Sequence, residues 1–433
     1  MAEKLDVPSP FQTPASRPRT LFPPNSSDWE TLSGQMEQAK RGDYDWRRGT
    51  LPLYVYWASE EAHEVSKKAY QSFFVENGLA RKAFPSVQQL ERDVIDMVMD
   101  LLNAPEGAAG SFTTGGTESI FQAVKAARGY SRSRGRTVKG REKIVVPWSA
   151  HPAFDKAASY LDLDVVRVSL GNDFRADLNR LEAEIDPSTI LIVGSAPSFP
   201  HGIYDNIEGL SRIAQQHDLW LHVDACVGGM LGPFLRELGD DIPTFDFTLP
   251  GVSSMSVDLH KYGYASKGAS LVLYRSGEMK QHQIFEFANW PRGYYATESF
   301  LGTRAGAPVA SAWAVMKFLG KTGYLEAARK IFETKKHLIA GINRINGLKV
   351  VEPNQLSFFL YRSNDPDLDI NAVAERLGEK GWFVGRSVEP SAIHLMINPV
   401  HADNADRYLR DLEAVVASVR SDRAVGTLDT KTY

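Results

Sequence analysis

The middle of the chain alternates short apolar runs, rich in β-branched residues, with segments whose apolar residues recur every three or four positions. The first pattern is typical of strands buried on both faces, and the second of amphipathic helices. Strands are predicted at 143–147, 164–170, 189–194, 219–224, 252–257 and 269–274. Helices are predicted between them, at 152–161, 178–185 and 207–217. The alternation predicts an α/β fold with a mainly parallel sheet covered by helices on both faces.

The last third of the chain has a different pattern, in which long amphipathic helices precede short strands. The helices are predicted at 307–319, 324–345, 370–380 and 404–419, and the strands at 348–351, 356–361 and 392–397. Upstream, helical spacing occupies 60–75 and 87–102, whereas 1–30 are rich in Pro and Ser. We therefore expect an N-terminal arm (1–58), a large α/β domain (59–306) and a small C-terminal α+β domain (307–433).

Composition and charge exclude several classes of protein. The 433 residues carry 49 Lys+Arg against 53 Asp+Glu, a balance that disfavours nucleic acid as the main partner. No window approaches the ~20 consecutive apolar residues of a membrane span, and the N-terminus lacks a signal-peptide core. The single cysteine, Cys226, excludes an intrachain disulfide and a Cys-based zinc site, and we predict no metal centre. These features predict a soluble, cytoplasmic protein.

A glycine-rich segment at 113–119 (TTGGTES) directly precedes a helical pattern at 120–129. Glycines at a helix start let free backbone N–H groups approach an anion, and the helix dipole adds attraction. The segment can therefore hold a phosphate. The same sequence is equally typical of an ordinary glycine-rich turn in which Ser and Thr side chains cap the helix.

Three other polar residues follow predicted strands, at the edge of a parallel sheet where ligands bind. Asp224 ends the strand at 219–224, and its carboxylate can face a ligand cation or cap a helix. His151 follows the strand at 143–147 and can stack on a flat ligand or cap a helix. Lys261 follows the strand at 252–257 and is either a buried nucleophile or an ordinary surface lysine. A phosphate cradle, a histidine, an acid and a lysine together suit pyridoxal 5′-phosphate (PLP).

The chain resembles the fold-type I, group II decarboxylase superfamily, and within it the sphingosine-1-phosphate lyase family. The resemblance runs from about 54 to 416. It rests on TTGGTESI, SAHPAFDKAASY, APSFPHGIYD, HVDACVGGMLGPF, VSSMSVDLHKYGYASKGASLVLY and LGTRAG. It implies a PLP-dependent lyase that cleaves sphingosine 1-phosphate, or a related phosphorylated long-chain base, by a retro-aldol reaction. The products would be a fatty aldehyde and phosphoethanolamine.

The resemblance also implies a role for the residues around the cofactor ring. Lys261 would hold the cofactor covalently, and Asp224 would pair with the pyridine nitrogen. His151 would stack on one ring face, and Ala225 would lie under the other. Either Lys261 or Tyr56 would remove the proton of the substrate 3-hydroxyl.

The cofactor phosphate is assigned by the resemblance to the start of the helix at 120–129. Gly115, Gly116 and Thr117 would form its cradle, and His260 would approach it. Gly116, Thr117 and the adjacent backbone are the positions that match the family's phosphate cradle.

The substrate is assigned by the resemblance to a separate set of residues. Lys267 and Arg304 would bind the substrate phosphate, Tyr56 would lie at the pocket mouth, and His201 would line the pocket. Family members are homodimers with pockets at the subunit boundary, so a second copy of the chain is the expected partner.

One segment departs from the family pattern. Where the lyases have a sequence like NPLHPDIFP, this chain has NGLARKAFP at 77–85, with Ala80 at the histidine position and Lys82 at the acidic position. Arg81 or Lys82 can substitute as a phosphate ligand, or the substrate carries its anion elsewhere or lacks a phosphate. Two alternatives therefore stay open: an amino-acid α-decarboxylase on the same scaffold, and a non-catalytic scaffold.

Overall fold

A computed structural model describes residues 19–79, 81–135 and 141–427 of the chain. The first 18 residues of the predicted arm, and Ala80, lie outside the described residues. The described residues form twelve α-helices: α1 (Trp29–Ala39), α2 (Glu60–Ser72), α3 (Pro85–Leu101), α4 (Gly116–Ser133), α5 (Ala153–Leu161), α6 (Leu178–Ala183), α7 (Ile207–Gln216), α8 (Gly232–Glu237), α9 (Gly277–Gln281), α10 (Ala307–Ile342), α11 (Ile370–Glu379) and α12 (Ala405–Asp422).

The same described residues form thirteen strands: β1 (Ala109–Thr113), β2 (Lys143–Pro147), β3 (Asp164–Val168), β4 (Thr189–Ser195), β5 (Trp220–Asp224), β6 (Val252–Val257), β7 (Ser270–Tyr274), β8 (Phe285–Phe287), β9 (Tyr295–Thr297), β10 (Leu348–Val350), β11 (Phe358–Ser363), β12 (Gly385–Ser387) and β13 (Ala392–Met396). Short 3₁₀ helices lie at Lys40–Gly42, Trp46–Arg48 and Pro399–Asn404.

The largest sheet in the described residues has seven strands, in the order β1-β7-β6-β5-β4-β2-β3. Every pairing is parallel except the two that β7 makes, with β1 and β6. Alternate residues of β2 face opposite sides: Ile144 and Val146 pack with helices α4 and α5, whereas Val145 belongs to the cluster that includes α7. Both faces are therefore covered, and the mainly parallel α/β sheet predicted from the sequence is confirmed.

The sequence pattern missed strand β1 and the β8–β9 hairpin. Strand β1 has the sequence AGSFT, which is neither continuously apolar nor strongly β-branched, yet four of its five residues are buried. It pairs antiparallel with β7 and leads directly to the glycine-rich turn before α4. Pairing with a distant strand, rather than local preference, therefore fixes its conformation.

The C-terminal part contains a four-stranded antiparallel sheet in the order β10-β11-β13-β12. The two predicted helices at 307–319 and 324–345 form the single helix α10, which is kinked at Gly320. Gly320 has φ of 52°, a left-handed conformation that glycine adopts without steric cost. Among the described residues no helix is both long and apolar enough to cross a membrane.

The segment before α2 contacts the C-terminal sheet and then enters the central site. The amide of Phe383 donates to the carbonyl of Thr50, and the amide of Met396 donates to that of Pro52. These bonds fix the chain just ahead of Tyr54 and Tyr56, which both line the cavity described below.

Candidate active site

A cavity of about 570 Å³ lies at the carboxyl ends of strands β2, β4, β5 and β6, beside the N-terminus of α4. This is the edge at which parallel α/β sheets bind ligands. The cavity wall brings together nine residues singled out from the sequence: Tyr56, Gly115, Gly116, Thr117, His151, Asp224, His260, Lys261 and Lys267.

Lys261 forms an ion pair on the cavity wall with Asp258, three residues earlier. Its Nζ lies 2.9 Å from Oδ2 of Asp258, whose side chain is almost completely buried. Burial opposes the charged form of Lys261 and is the largest single effect on its pKa. Asp258 and the smaller contributions of Tyr56, Cys226 and Asp224 together outweigh it, so the pKa of the lysine lies above its ordinary value. Burial likewise raises the pKa of Asp258, but Lys261 and His260 more than offset it, so the net shift is downward. The pair is therefore ammonium and carboxylate.

Asp224 is held by a chain of hydrogen bonds that begins inside the sheet. The amide of Cys226 and the hydroxyl of Ser256 both donate to its Oδ1, at 3.1 and 3.2 Å. Ser256 also lies 3.2 Å from Nε2 of His222, whose Nδ1 lies 2.8 Å from the hydroxyl of Ser254. No described residue donates to Oδ2 of Asp224, so this oxygen is available to a ligand.

His151 is half-buried at the cavity wall, where its Nδ1 accepts a hydrogen bond of 3.1 Å from the amide of Ala153. Burial lowers the pKa of His151, while Asp224 raises it by a smaller amount. The ring is therefore neutral near pH 7, as required of an imidazole that stacks on a flat ligand without adding charge.

The glycine-rich turn before α4 approaches the Lys261–Asp258 pair closely. A Cβ atom at Gly116 would lie 2.8 Å from Sγ of Cys226 and 2.9 Å from Oδ1 of Asp258, so only glycine fits. The free amides of the first helical turn adjoin the cavity here. This arrangement suits a bound anion.

Lys267 lies at the cavity mouth with its ammonium group 5.0 Å from the centre of the Tyr56 ring. It donates to the carbonyls of Tyr54 and His260, at 3.0 and 3.3 Å. Although the side chain reaches solvent, the surrounding walls desolvate the ammonium and Lys261 repels it, which lowers the pKa of Lys267 to about 8. Two of its three donors are used, and one is left for a ligand.

Three predicted residues lie outside the cavity lining. Ala225 is fully buried directly after β5. His201 stacks on Phe174 at 4.8 Å, and its Nε2 lies 3.0 Å from the carbonyl of Glu389. Arg304 is 5% exposed and donates from Nη2 to Glu91 at 2.8 Å. The structure therefore does not bring His201 or Arg304 to the cavity within this chain, and their substrate-binding roles stay predictions.

The sequence reasoning missed Ser256, His222 and Asp258 as functional residues. A signal was available in β6, whose sequence VSSMSV carries three serines although all six residues are buried. Buried hydroxyls need hydrogen-bond partners, so serines in a central strand indicate a neighbouring polar group. Asp258 had a weaker signal, its position three residues before Lys261.

The residues of the cavity fit PLP. Gly116 leaves room for a phosphate that a Cβ atom would exclude, Oδ2 of Asp224 is available for a ring nitrogen, and Lys261 supplies an amine. His151 is neutral and close enough to Asp224 to feel its charge, which suits a ring that stacks on the cofactor.

Comparison with known proteins agrees with this fit. Residues 72–359 match the model of the pyridoxal-dependent decarboxylase conserved domain. The sphingosine-1-phosphate lyase of Arabidopsis thaliana is 39% identical, over 97% of this chain and 78% of its own length. A probable L-tyrosine/L-aspartate decarboxylase of Methanothermobacter thermautotrophicus is 36% identical over 82% of this chain and 94% of its own.

A solved structure provides the corresponding comparison of folds. The sphingosine-1-phosphate lyase of Burkholderia pseudomallei superposes with a TM-score of 0.88 and 34% identity, covering 94% of both chains. The likeness extends across both the central sheet and the C-terminal sheet.

Covalent attachment at Lys261 can be tested directly. We expect borohydride to fix PLP onto the wild-type protein as a mass increase, because reduction makes the bond between the lysine amine and the aldehyde permanent. Lys261→Ala should show no such increase by intact-mass spectrometry. Lys267→Ala removes a neighbouring amine on the same loop and should keep the increase. A full increase in Lys261→Ala protein would remove Lys261 from this role.

Proposed function

Because the chain belongs to the pyridoxal-dependent decarboxylase family, and to its sphingosine-1-phosphate lyase branch, we propose that it cleaves a phosphorylated long-chain base such as sphingosine 1-phosphate. The products are a fatty aldehyde and phosphoethanolamine. The observation that carries this proposal is the cavity itself, in which the cofactor residues share one wall with a further cation, Lys267.

The cofactor residues have distinct tasks in this proposal. PLP, when bound, accepts the electron pair released as a bond to the amine-bearing carbon of the substrate breaks. Lys261 holds the cofactor through its aldehyde, and the first turn of α4 holds its phosphate. Asp224 keeps the ring nitrogen protonated, and the His222–Ser256 chain keeps Oδ1 of Asp224 in place. His151 covers one ring face.

The protein must also move two protons. The first leaves the 3-hydroxyl of the substrate, so that C2–C3 breaks and C3 departs as the aldehyde carbonyl. Tyr56 and the free amine of Lys261 are the two candidates to accept it, and both line the cavity. The second proton is delivered to C2, which completes phosphoethanolamine. Lys261 suits this delivery because Asp258 holds its amine at 2.9 Å as an ammonium group.

Lys267 provides the contact that selects the bond to be broken. A bond breaks most readily when it stands perpendicular to the cofactor ring. Binding the anionic end of the substrate in one place therefore determines which bond is perpendicular to the ring and breaks. The ammonium of Lys267 retains one free donor and lies beside Tyr56 at the cavity mouth. We assign it to the substrate phosphate.

A homodimer is part of this proposal. The hairpin and the segment after it expose large apolar side chains: Phe285, Phe287, Trp290, Tyr294, Phe300 and Leu301. Helix α1 exposes Trp29, Leu32 and Met36 and buries no residue. Many large apolar side chains exposed on one segment are typical of interfaces, and we assign them to contact with a second copy of the chain. We also place the enzyme in the cytoplasm, where the cavity-lining thiol of Cys226 stays reduced.

Product identification tests the reaction. We expect incubation with sphingosine 1-phosphate to yield a long-chain aldehyde and phosphoethanolamine, measured by mass spectrometry. A panel of amino acids, including tyrosine and aspartate because of the Methanothermobacter relative, should release no carbon dioxide. Carbon dioxide from an amino acid without aldehyde from the lipid would establish the decarboxylase instead. If PLP-loaded protein formed neither aldehyde nor carbon dioxide, the result would favour the non-catalytic scaffold.

The pH dependence of KM tests Lys267. Because its pKa is about 8, the ammonium is lost as the pH rises through that value, and KM for the phosphorylated substrate should rise above pH 8. Arginine stays charged throughout this range, so Lys267→Arg should flatten the rise. Lys267→Met should raise KM by about tenfold or more at pH 7, through loss of a charge-assisted hydrogen bond. If KM rose equally above pH 8 in Lys267→Arg, the rise would be caused by the titration of another group.

Light scattering tests the dimer. We expect wild-type protein to elute with twice the mass of one chain. Phe287→Glu combined with Trp290→Glu places charges on the exposed hairpin and should shift the protein toward one-chain mass. Phe318→Glu changes a comparably exposed residue on α10 and should leave the dimer intact. A monomeric wild-type protein, or a dimer untouched by the double change, would contradict the assignment.

A further inference from the structure

We propose that Glu118 is a positioning residue that couples the phosphate-binding turn before α4 to the segment 298–304 after the β8–β9 hairpin. The proposal rests on the placement of the cofactor phosphate at the first turn of α4. According to this proposal, binding of the cofactor orders the segment 298–304, and an ordered segment in turn strengthens binding of the cofactor.

The two carboxylate oxygens of Glu118 hold different parts of the chain. Oε2 accepts hydrogen bonds from the amide and the hydroxyl of Thr114, at 2.8 and 2.6 Å. Oε1 accepts one from the amide of Phe300, at 2.8 Å and 182 positions along the chain. Thr114 directly precedes Gly115, so one side chain connects the proposed phosphate turn to a distant segment.

Charge explains why a carboxylate is tolerated so close to an expected anion. Glu118 is 7% exposed and lies in the first turn of α4, where the helix dipole favours a negative side chain. Three hydrogen-bond donors engage its oxygens. Arg304 lies close enough that Glu118 contributes to the raised pKa of the guanidinium. The charge of Glu118 is thereby balanced by the two segments that it connects.

The segment 298–304 is also anchored to the body of the large domain. The ring of Phe300 packs edge-on against Phe121 of α4, with centroids 4.4 Å apart. Glu298 accepts from Ser111 of β1 at 3.0 Å and pairs with Lys280 of α9 at 2.8 Å. A shift of the segment therefore acts on α4 and β1, the elements on either side of the phosphate turn.

A glutamine at position 118 cannot replace the glutamate. Its amide has one oxygen that accepts and one nitrogen that only donates, so it can satisfy Thr114 or Phe300 but not both. Either choice leaves one of the two amide donors without an acceptor on residue 118 and breaks the connection. Because coupling between two sites is reciprocal, the loss must appear both in cofactor affinity and in the order of the segment.

Hydrogen exchange and PLP titration test the coupling. In wild-type protein we expect PLP to slow amide exchange in the 298–302 peptide, which contains Phe300. In Glu118→Gln we expect the Kd for PLP to rise by about tenfold, as for loss of a charge-assisted hydrogen bond. The slowing at 298–302 should also disappear. Glu208→Gln is the matched control: Glu208 lies in the first turn of α7 and pairs with Arg212 on the surface, so PLP affinity and protection should stay at wild-type values.

A second variant distinguishes a loss of coupling from a folding defect. Thr114→Ala removes one of the three bonds and leaves the Phe300 bond in place, so we expect a smaller loss of PLP affinity, about threefold. Wild-type affinity and wild-type protection in Glu118→Gln would overturn the coupling. So would faster exchange throughout α4 and β1 with an unchanged response of 298–302 to PLP, because that is a general loss of stability. Failure of the wild-type protein to bind PLP would instead overturn the proposed function.

Discussion

The ion pair between Lys261 and Asp258 is the interaction around which the cavity is arranged. Removing either charge from water costs several kcal/mol, so each needs the other at close range. Their 2.9 Å contact provides this close pairing. The carboxylate of Asp258 can occupy this position only if the neighbouring residue has no side chain. Gly116 meets this condition, because any Cβ there would lie 2.9 Å from the carboxylate. The glycine to which we assign the cofactor phosphate is thus also required by the ion pair.

A second group of polar side chains lies within the core of the sheet, and its members are hydrogen-bonded to one another. Ser254 and Ser256 lie on β6 opposite His222 and Asp224 of β5, and their hydroxyls connect the two strands from within. Burial lowers the pKa of His222 to about 4, so this imidazole is neutral and acts through hydrogen bonds alone. A neutral, fully bonded network costs little to bury and holds Asp224 rigidly. The acid can then act on a ligand without reorganising.

The sequence predicts those residues of the site whose positions are determined by the end of a strand. Asp224 ends one predicted strand and Lys261 follows another, and neighbouring parallel strands bring such residues to one edge of the sheet. The contacts from Glu118 to Phe300 and from Arg304 to Glu91 join positions far apart in the sequence through loops. No local pattern encodes them. Strand β1 was missed for a related reason, since its partner β7, rather than its composition, makes it a strand.

The departure from the lyase pattern falls on the substrate side of the site. Arg81, next to the family's histidine position, pairs at 2.6 Å with Glu298, at the start of the segment that Glu118 anchors. Lys261 is engaged by Asp258, which leaves Lys267 as the cavity cation with a donor to spare. In the proposed function, the departure at 80–82 therefore concerns how the anionic end of the substrate is held, whereas the cofactor is assigned to other residues of the cavity.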